Sequence, residues 1–117
     1  MKIELDFPPM DLFPNRAQGR HWGALYKIKS DYRDACTWLA KSQLNGWKHD
    51  GKSEIHLKLT YIMPDKRMRD ADNCLAASKA ALDGLSDALM VNDKLFQPIE
   101  IRREFGTKAT AKLIIEI

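Results

Sequence analysis

Asp70 and Asp72 stand two residues apart in the run Arg69-Asp70-Ala71-Asp72-Asn73, and Asp93 follows in Val91-Asn92-Asp93. Carboxylates are hard oxygen ligands, and such a set suits Mg²⁺ or Mn²⁺ with positions left open for water and phosphate. A metal held this way lowers the pKa of bound water and stabilises charge on phosphoryl oxygens. On a continuous helix, Lys79 and Asp83 return to within roughly 20° of Asp72, so the three would share one stripe. An ammonium there can stabilise transition-state charge or a departing 3′ oxygen. Lys66, Arg67 and Arg69 lie just upstream. A basic flank beside an acid cluster suits a polyanion such as DNA or RNA, and the three are candidate phosphate contacts. Plainer readings stand beside this one. Asp70 or Asp72 can be a helix N-cap or a favourable first-turn charge, and Lys79 with Asp83 can be a surface pair.

These residues need elements to position them. Residues 2–7 alternate strictly, with Ile3, Leu5 and Phe7 on one side, which predicts a strand stopped by Pro8-Pro9. Residues 10–22 read as a loop. Leu25, Ile28, Tyr32, Ala35, Cys36 and Leu39 have helical spacing, with Ser30 an available cap for a later start and Asn45-Gly46 as a stop. Residues 54–63 alternate again until Pro64, and 64–70 form a basic turn. A helix is expected from about Asp72 to about Leu89, its buried stripe marked by Leu75, Leu82, Leu85 and Leu89. Residues 98–105 and 110–117 alternate, and Gly106-Thr107-Lys108 between them predicts a hairpin. The order β-α-β-α-β-β indicates an α+β fold: a mixed or antiparallel sheet with two helices packed on one face. A chain of 117 residues without repeats or linkers is read as one domain, residues 1–117.

The net charge of +3 decides little alone, but its distribution is uneven. Residues 1–70 hold 13 Lys/Arg against 9 Asp/Glu, and residues 71–117 hold 6 against 7, so the basic excess ends at the acid cluster. Arg16 and Arg20 belong to it. With His21 and Lys27 they flank Trp22, a loop composition that can hold phosphates or wedge a base step; the alternative is a solvated loop with Trp22 packed on the core. Arg102-Arg103 straddle the two faces of a strand, one of them turned to solvent. Cys36 and Cys74 lack metal spacing and make no disulfide scaffold, which points to a reducing cytoplasm. No apolar run reaches the roughly 20 residues of a membrane span, and the N-terminus does not read as a signal peptide. His21, His49 and His56 have no zinc spacing, and Cys74 reads as a small core residue. The absence of a Gly-rich phosphate loop and of G-x-S-x-G removes support for a nucleotide cofactor or serine hydrolysis.

The run Met63-Pro64-Asp65-Lys66-Arg67-Met68-Arg69-Asp70-Ala71-Asp72-Asn73 resembles the signature of the RusA family of Holliday junction resolvases, where a strand ending in Met-Pro leads through a basic turn into Arg-Asp-x-Asp-Asn. Lys79-Ala80-Ala81-Leu82-Asp83-Gly84-Leu85 is similar to the family's Lys-Ala-x-x-Asp-x-Leu, and Val91-Asn92-Asp93 stands in place of its Asp-Asp loop. Phe7-Pro8-Pro9, Asn15 and Tyr32-Arg33-Asp34 carry weaker similarity. The resemblance covers nearly the whole chain, and residues 63–93 are its specific part. It implies a homodimeric, Mg²⁺-dependent endonuclease that resolves four-way DNA junctions by paired symmetric nicks, leaving 5′-phosphate and 3′-hydroxyl ends. A role in recombination or repair, and a phage or prophage origin, go with it. By that resemblance Asp70, Asp72 and Asp93 are the metal-binding catalytic acids and Lys79 the catalytic lysine; Asp83 and Asn73 are candidate supports beside them. There are two departures. Lys79 comes about one turn later than the lysine of many members, displaced by roughly 4–5 Å along the axis. Asn92 replaces an acid. These leave open a non-catalytic junction-binding protein and a phosphoesterase for other branched DNA.

Overall fold

The computed structural model describes residues 1–17, 19 and 21–117. In order they form β1 (Lys2–Asp6), a 3-10 turn (Met10–Leu12), α1 (Pro14–Ala17), α2 (Trp22–Lys41), β2 (Ile55–Ile62), α3 (Ala71–Ala77), α4 (Lys79–Leu89), a second 3-10 turn (Asp93–Leu95), β3 (Phe96–Glu104) and β4 (Lys112–Glu116). The α+β class and the mixed sheet are as expected. One face of the sheet is apolar: Ile3 and Leu5 of β1, Leu57, Leu59 and Tyr61 of β2, and Leu113 and Ile115 of β4 are buried. They join Tyr32, Cys36 and Ala40 of α2 and Ala81, Leu85 and Ala88 of α4 in a single core. The alternate residues, such as Lys2, Glu4, His56, Lys58 and Glu100, are exposed on the other face. No helix among the described residues is long and apolar enough to cross a membrane.

The expected β3–β4 hairpin is not formed. The strand order is β1-β4-β2-β3, with β2 and β3 parallel and β4 antiparallel to both β1 and β2. The physical reason lies in burial. β2 is the most apolar strand, buried at every second residue from Ile55 to Tyr61, and takes a neighbour on each side. β3 contains Pro98 and is largely exposed, which suits an edge. Gly106 does not turn a hairpin; it carries the chain across the end of β2. A Cβ there would lie 2.6 Å from Ile62 Cγ2 and 2.8 Å from the Met63 carbonyl oxygen.

The expected single helix over 72–89 is two. Ser78 is fully buried, and its hydroxyl donates to the Cys74 carbonyl at 2.8 Å while accepting from the Tyr61 hydroxyl at 2.8 Å. A serine bonded back to the i−4 carbonyl, with a phenol at the same point, bends a helix. α2 begins at Trp22, capped by His21 Nδ1, which accepts from the Gly23 amide at 3.2 Å. It ends at Lys41, ahead of Asn45 and Gly46, whose φ values of 33° and 78° form the following turn. α2 and α4 meet at Gly84, where Thr37 Oγ1 donates to the Gly84 carbonyl at 3.1 Å.

Candidate active site

The loop leaving β2 is held from two sides. Arg69 is only 7% exposed, and its guanidinium donates to both Asp65 carboxylate oxygens at 2.8 and 3.2 Å and to the Arg67 carbonyl at 2.9 Å. It also lies 5.6 Å over the Phe7 ring. Sequence alone groups Arg69 with Lys66 and Arg67 as a DNA contact. Its guanidinium is instead committed to shaping the loop, while Lys66 and Arg67 are exposed. The Arg69 hydrogen bond, seconded by the Arg67 amide, holds the Asp65 carboxyl below its ordinary range. A depressed folded value gives a contribution present above the ordinary carboxylate pKa and lost as pH falls through the folded one, so the latch is closed at neutral pH.

The second brace comes from β3 and was not legible in the sequence. The parallel register sets Arg103 beside Tyr61, on the helix-covered face. Its Nη1 donates to the Arg69 carbonyl at 3.1 Å, one residue before Asp70. Arg102, beside Thr60 on the open face, pairs with Glu104 at 2.6 Å. Arg103→Ala is expected to slow cleavage by about tenfold or more through misplacement of Asp70, with Arg103→Lys recovering part of the rate in single-turnover assays.

Asp70 occupies the N-cap position of α3 without capping it: its side chain makes no cap hydrogen bond. Asp72 sits in the first turn. Both carboxylates are exposed, and among the described residues neither has a hydrogen bond or ion pair. Two hard-oxygen ligands left free and two residues apart fit Mg²⁺, which keeps several waters and needs only one or two carboxylates. Asp93 lies elsewhere. Met90, left-handed at φ 56°, closes α4, and the chain turns back so that Asp93 Oδ2 accepts from Lys79 Nζ at 3.2 Å. Lys79 also donates to Asp83 at 3.0 Å. Among the described residues no three His, Cys, Asp or Glu side chains gather into a ready metal cage.

Asn92, the residue that departs from the family pattern, caps the turn carrying Asp93: its Oδ1 accepts from the Lys94 amide at 3.0 Å. Asparagine and aspartate cap equally well, so the departure removes a charge without removing the cap. The hydrogen bond to Asp83, then that to Asp93, raises the Lys79 pKa above the lysine range. A raised folded value gives a contribution present below the unfolded pKa and lost as pH rises through the folded one, so Lys79 is an ammonium throughout the neutral range. Asp83→Asn is expected to bring the Lys79 titration, followed by NMR, back toward ordinary lysine and to reduce kcat by about tenfold with little change in KM.

Two concavities border these groups. A cleft of about 160 Å³ brings Asn15, Arg16, Arg67, Asp70 and Asn73 together, so α1 places Arg16 in the same cleft as Asp70. A larger groove of about 570 Å³ runs between α2 and α3–α4, with Lys79 and Asp83 on one wall. Arg20 lies outside the described residues. Neither cysteine joins the site as a nucleophile: both are buried, and burial pushes the Cys36 thiol up to about 12.

Residues 13–117 match the family described as endodeoxyribonuclease RusA, which is nearly all of the chain. The chain belongs to the RusA family. It is also 28% identical over 95 residues to an uncharacterized protein of Xylella fastidiosa (strain Temecula1), an alignment that takes in 80% of this chain. The chain spans 61% of the length of that relative. Within the RusA framework, Asp70, Asp72 and the basic loop lie where β2 runs out and α3 begins, whereas Asp93 precedes β3, whose first residue pairs with the first of β2, and meets Lys79 there.

Proposed function

We propose that the protein is a Mg²⁺-dependent, structure-selective endodeoxyribonuclease that resolves four-way DNA junctions as a homodimer, in recombination or repair. The observation that carries this reading is the pair of unpartnered carboxylates, Asp70 at the end of a braced loop and Asp72 in the first turn of α3, in a RusA-family chain. Two charges stay unneutralised where the local geometry offers a cap, which favours a ligand role over the helix-capping alternative.

In this reading Asp70 and Asp72 hold the metal, and Asp93 contributes from the side of Lys79. Mg²⁺ held by Asp70 and Asp72 would supply a more acidic water and neutralise charge on the phosphoryl oxygens. Lys79, kept charged and aimed by Asp83 and Asp93, stabilises the developing negative charge at the phosphate or the leaving oxygen. Hydrolysis breaks the bond between phosphorus and the 3′ oxygen: water's oxygen joins the phosphorus, the 3′ oxygen takes a proton, and the ends are 5′-phosphate and 3′-hydroxyl. Arg16, Lys66 and Arg67 hold neighbouring phosphates and set the register of the strand, contacts that carry no sequence information themselves. Asn73 supports Asp70 across the small cleft. A two-fold dimer matches the symmetry of a four-way junction and accounts for paired nicks.

The test is an end-labelled four-way junction incubated with the protein in Mg²⁺, Mn²⁺ or EDTA, beside linear duplex. Symmetric nicks that need metal and spare the duplex are expected. Salt-sensitive junction binding without cutting under any metal would replace the enzyme with a binding protein.

A further inference from the structure

The groove beside Lys79 has walls of unlike character. Leu12, Ala76, Ala77 and Ala80 make it smooth and apolar inside, and Lys29 and Lys79 place cations along it. Its origin is geometric. α2 and α4 approach backbone to backbone where Gly84 meets Arg33, and N-terminal to that contact Tyr26 and Lys29 of α2 line the groove facing α3 and α4. Tyr26 lines the groove and is nevertheless 66% exposed. Trp22, one turn earlier and 74% exposed, presents its edge to Tyr26 at 6.5 Å, and His21 stacks on Trp22 at 6.3 Å. Tyr26 lines a concavity that shares Lys79 and Asp83 with the candidate active site, and the rings of Trp22 and then His21 follow beside it, none of the three in the core.

We propose that this groove receives a nucleobase, unstacked from the strand being cut, next to the phosphate that Lys79 faces. The inference rests on the endonuclease reading and adds the part of the substrate the groove takes. A flat aromatic ring with one charged phosphate attached matches a smooth groove with aromatic rings beside it and an ammonium on its wall. Bases that lie at a branch point have lost a stacking neighbour, so drawing one out there costs less than in continuous duplex. Stacking on Tyr26 and Trp22 offsets that cost and is tolerant of base identity. The groove is a concavity of about 570 Å³, a shape that suits an inserted ring better than the flat face of a second copy.

The experiment is a cycle between protein and DNA, read as junction affinity in EDTA so that no cutting occurs. A single abasic analogue is moved through the nucleotides flanking the branch. At one position it is expected to weaken wild-type binding by about tenfold. Tyr26→Ala should lose a similar factor on the intact junction and lose nothing further from the abasic analogue at that position; Trp22→Ala should behave likewise, more weakly. Both side chains are exposed, so unchanged melting temperatures are expected for the two variants. Multiplying losses, or a wild type indifferent to every abasic position, would overturn the proposal. So would a fall in sedimentation mass for Tyr26→Ala, which would make the groove a contact between copies. A wild type that binds junction no better than duplex would bring down the endonuclease reading itself, an outcome the other results keep separate.

Discussion

Asp70→Asn is expected to lower metal-dependent junction cleavage by about a thousandfold or more while leaving the fold untouched. The two halves of that result have one cause. A carboxylate with no hydrogen-bond or ion-pair partner gives stability little beyond its interaction with the helix dipole, so the change in unfolding free energy should stay within about 1 kcal/mol. Removing a negative charge beside a polyanion should also leave junction binding in EDTA unchanged or tighter. Asp72→Asn should repeat the pattern. Single-turnover cleavage, chemical denaturation and gel-shift titration together check it. Full activity in Asp70→Asn would end the metal-ligand reading, and a large loss of stability would return Asp70 to a structural role.

Gly84→Ala should destabilise the fold markedly. The added Cβ would sit 2.3 Å from the Arg33 backbone oxygen and 2.9 Å from Thr37 Oγ1. The first of these is main chain and has no rotamer by which to yield, so α2 and α4 must move apart. Overpacking of this kind costs about 1–3 kcal/mol, occasionally more, against a helix-propensity gain from alanine of about 1 kcal/mol. Calorimetry should show a melting temperature lower by several degrees. A melting temperature at or above that of the wild type would mean that the helices are not held at this contact.

Much of the fold is written in local patterns. Alternation marks all four strands, and apolar spacing marks both helical regions. Two things are not local. Whether β4 pairs with β3 depends on how strongly β2 demands neighbours, and a Gly-Thr-Lys turn says nothing of that. The break at Ser78 needs a hydroxyl from another element, Tyr61 of β2, which no helix periodicity reveals. The site divides the same way. Its acids, its lysine and its basic turn stand out because residues of scarce chemistry cluster in a short run. Arg69 looks like its basic neighbours until burial and Asp65 are known. Arg103 looks idle until the parallel register turns it toward the loop. The chemistry asks for Asp93 to return to the site, but residue spacing alone does not say that it meets Lys79; the left-handed turn at Met90 brings it there.

The placement of β4 sets when the fold comes into being. β1 has no neighbour other than β4, and Ile3 lies opposite Ile115. On a ribosome the first strand therefore waits for almost the last, and β2 lacks one of its two flanks until residues 112–116 emerge. Pairings this distant in sequence require loop closure before they reward it and make for slow folding. The loops that space Asp70, Lys79 and Asp93 are anchored on β2 and β3, so they gain their arrangement only when the sheet closes. A chain whose synthesis stops short of β4 would thus lack the arranged site, and under the proposed function unfinished copies would pose no hazard to the DNA around them.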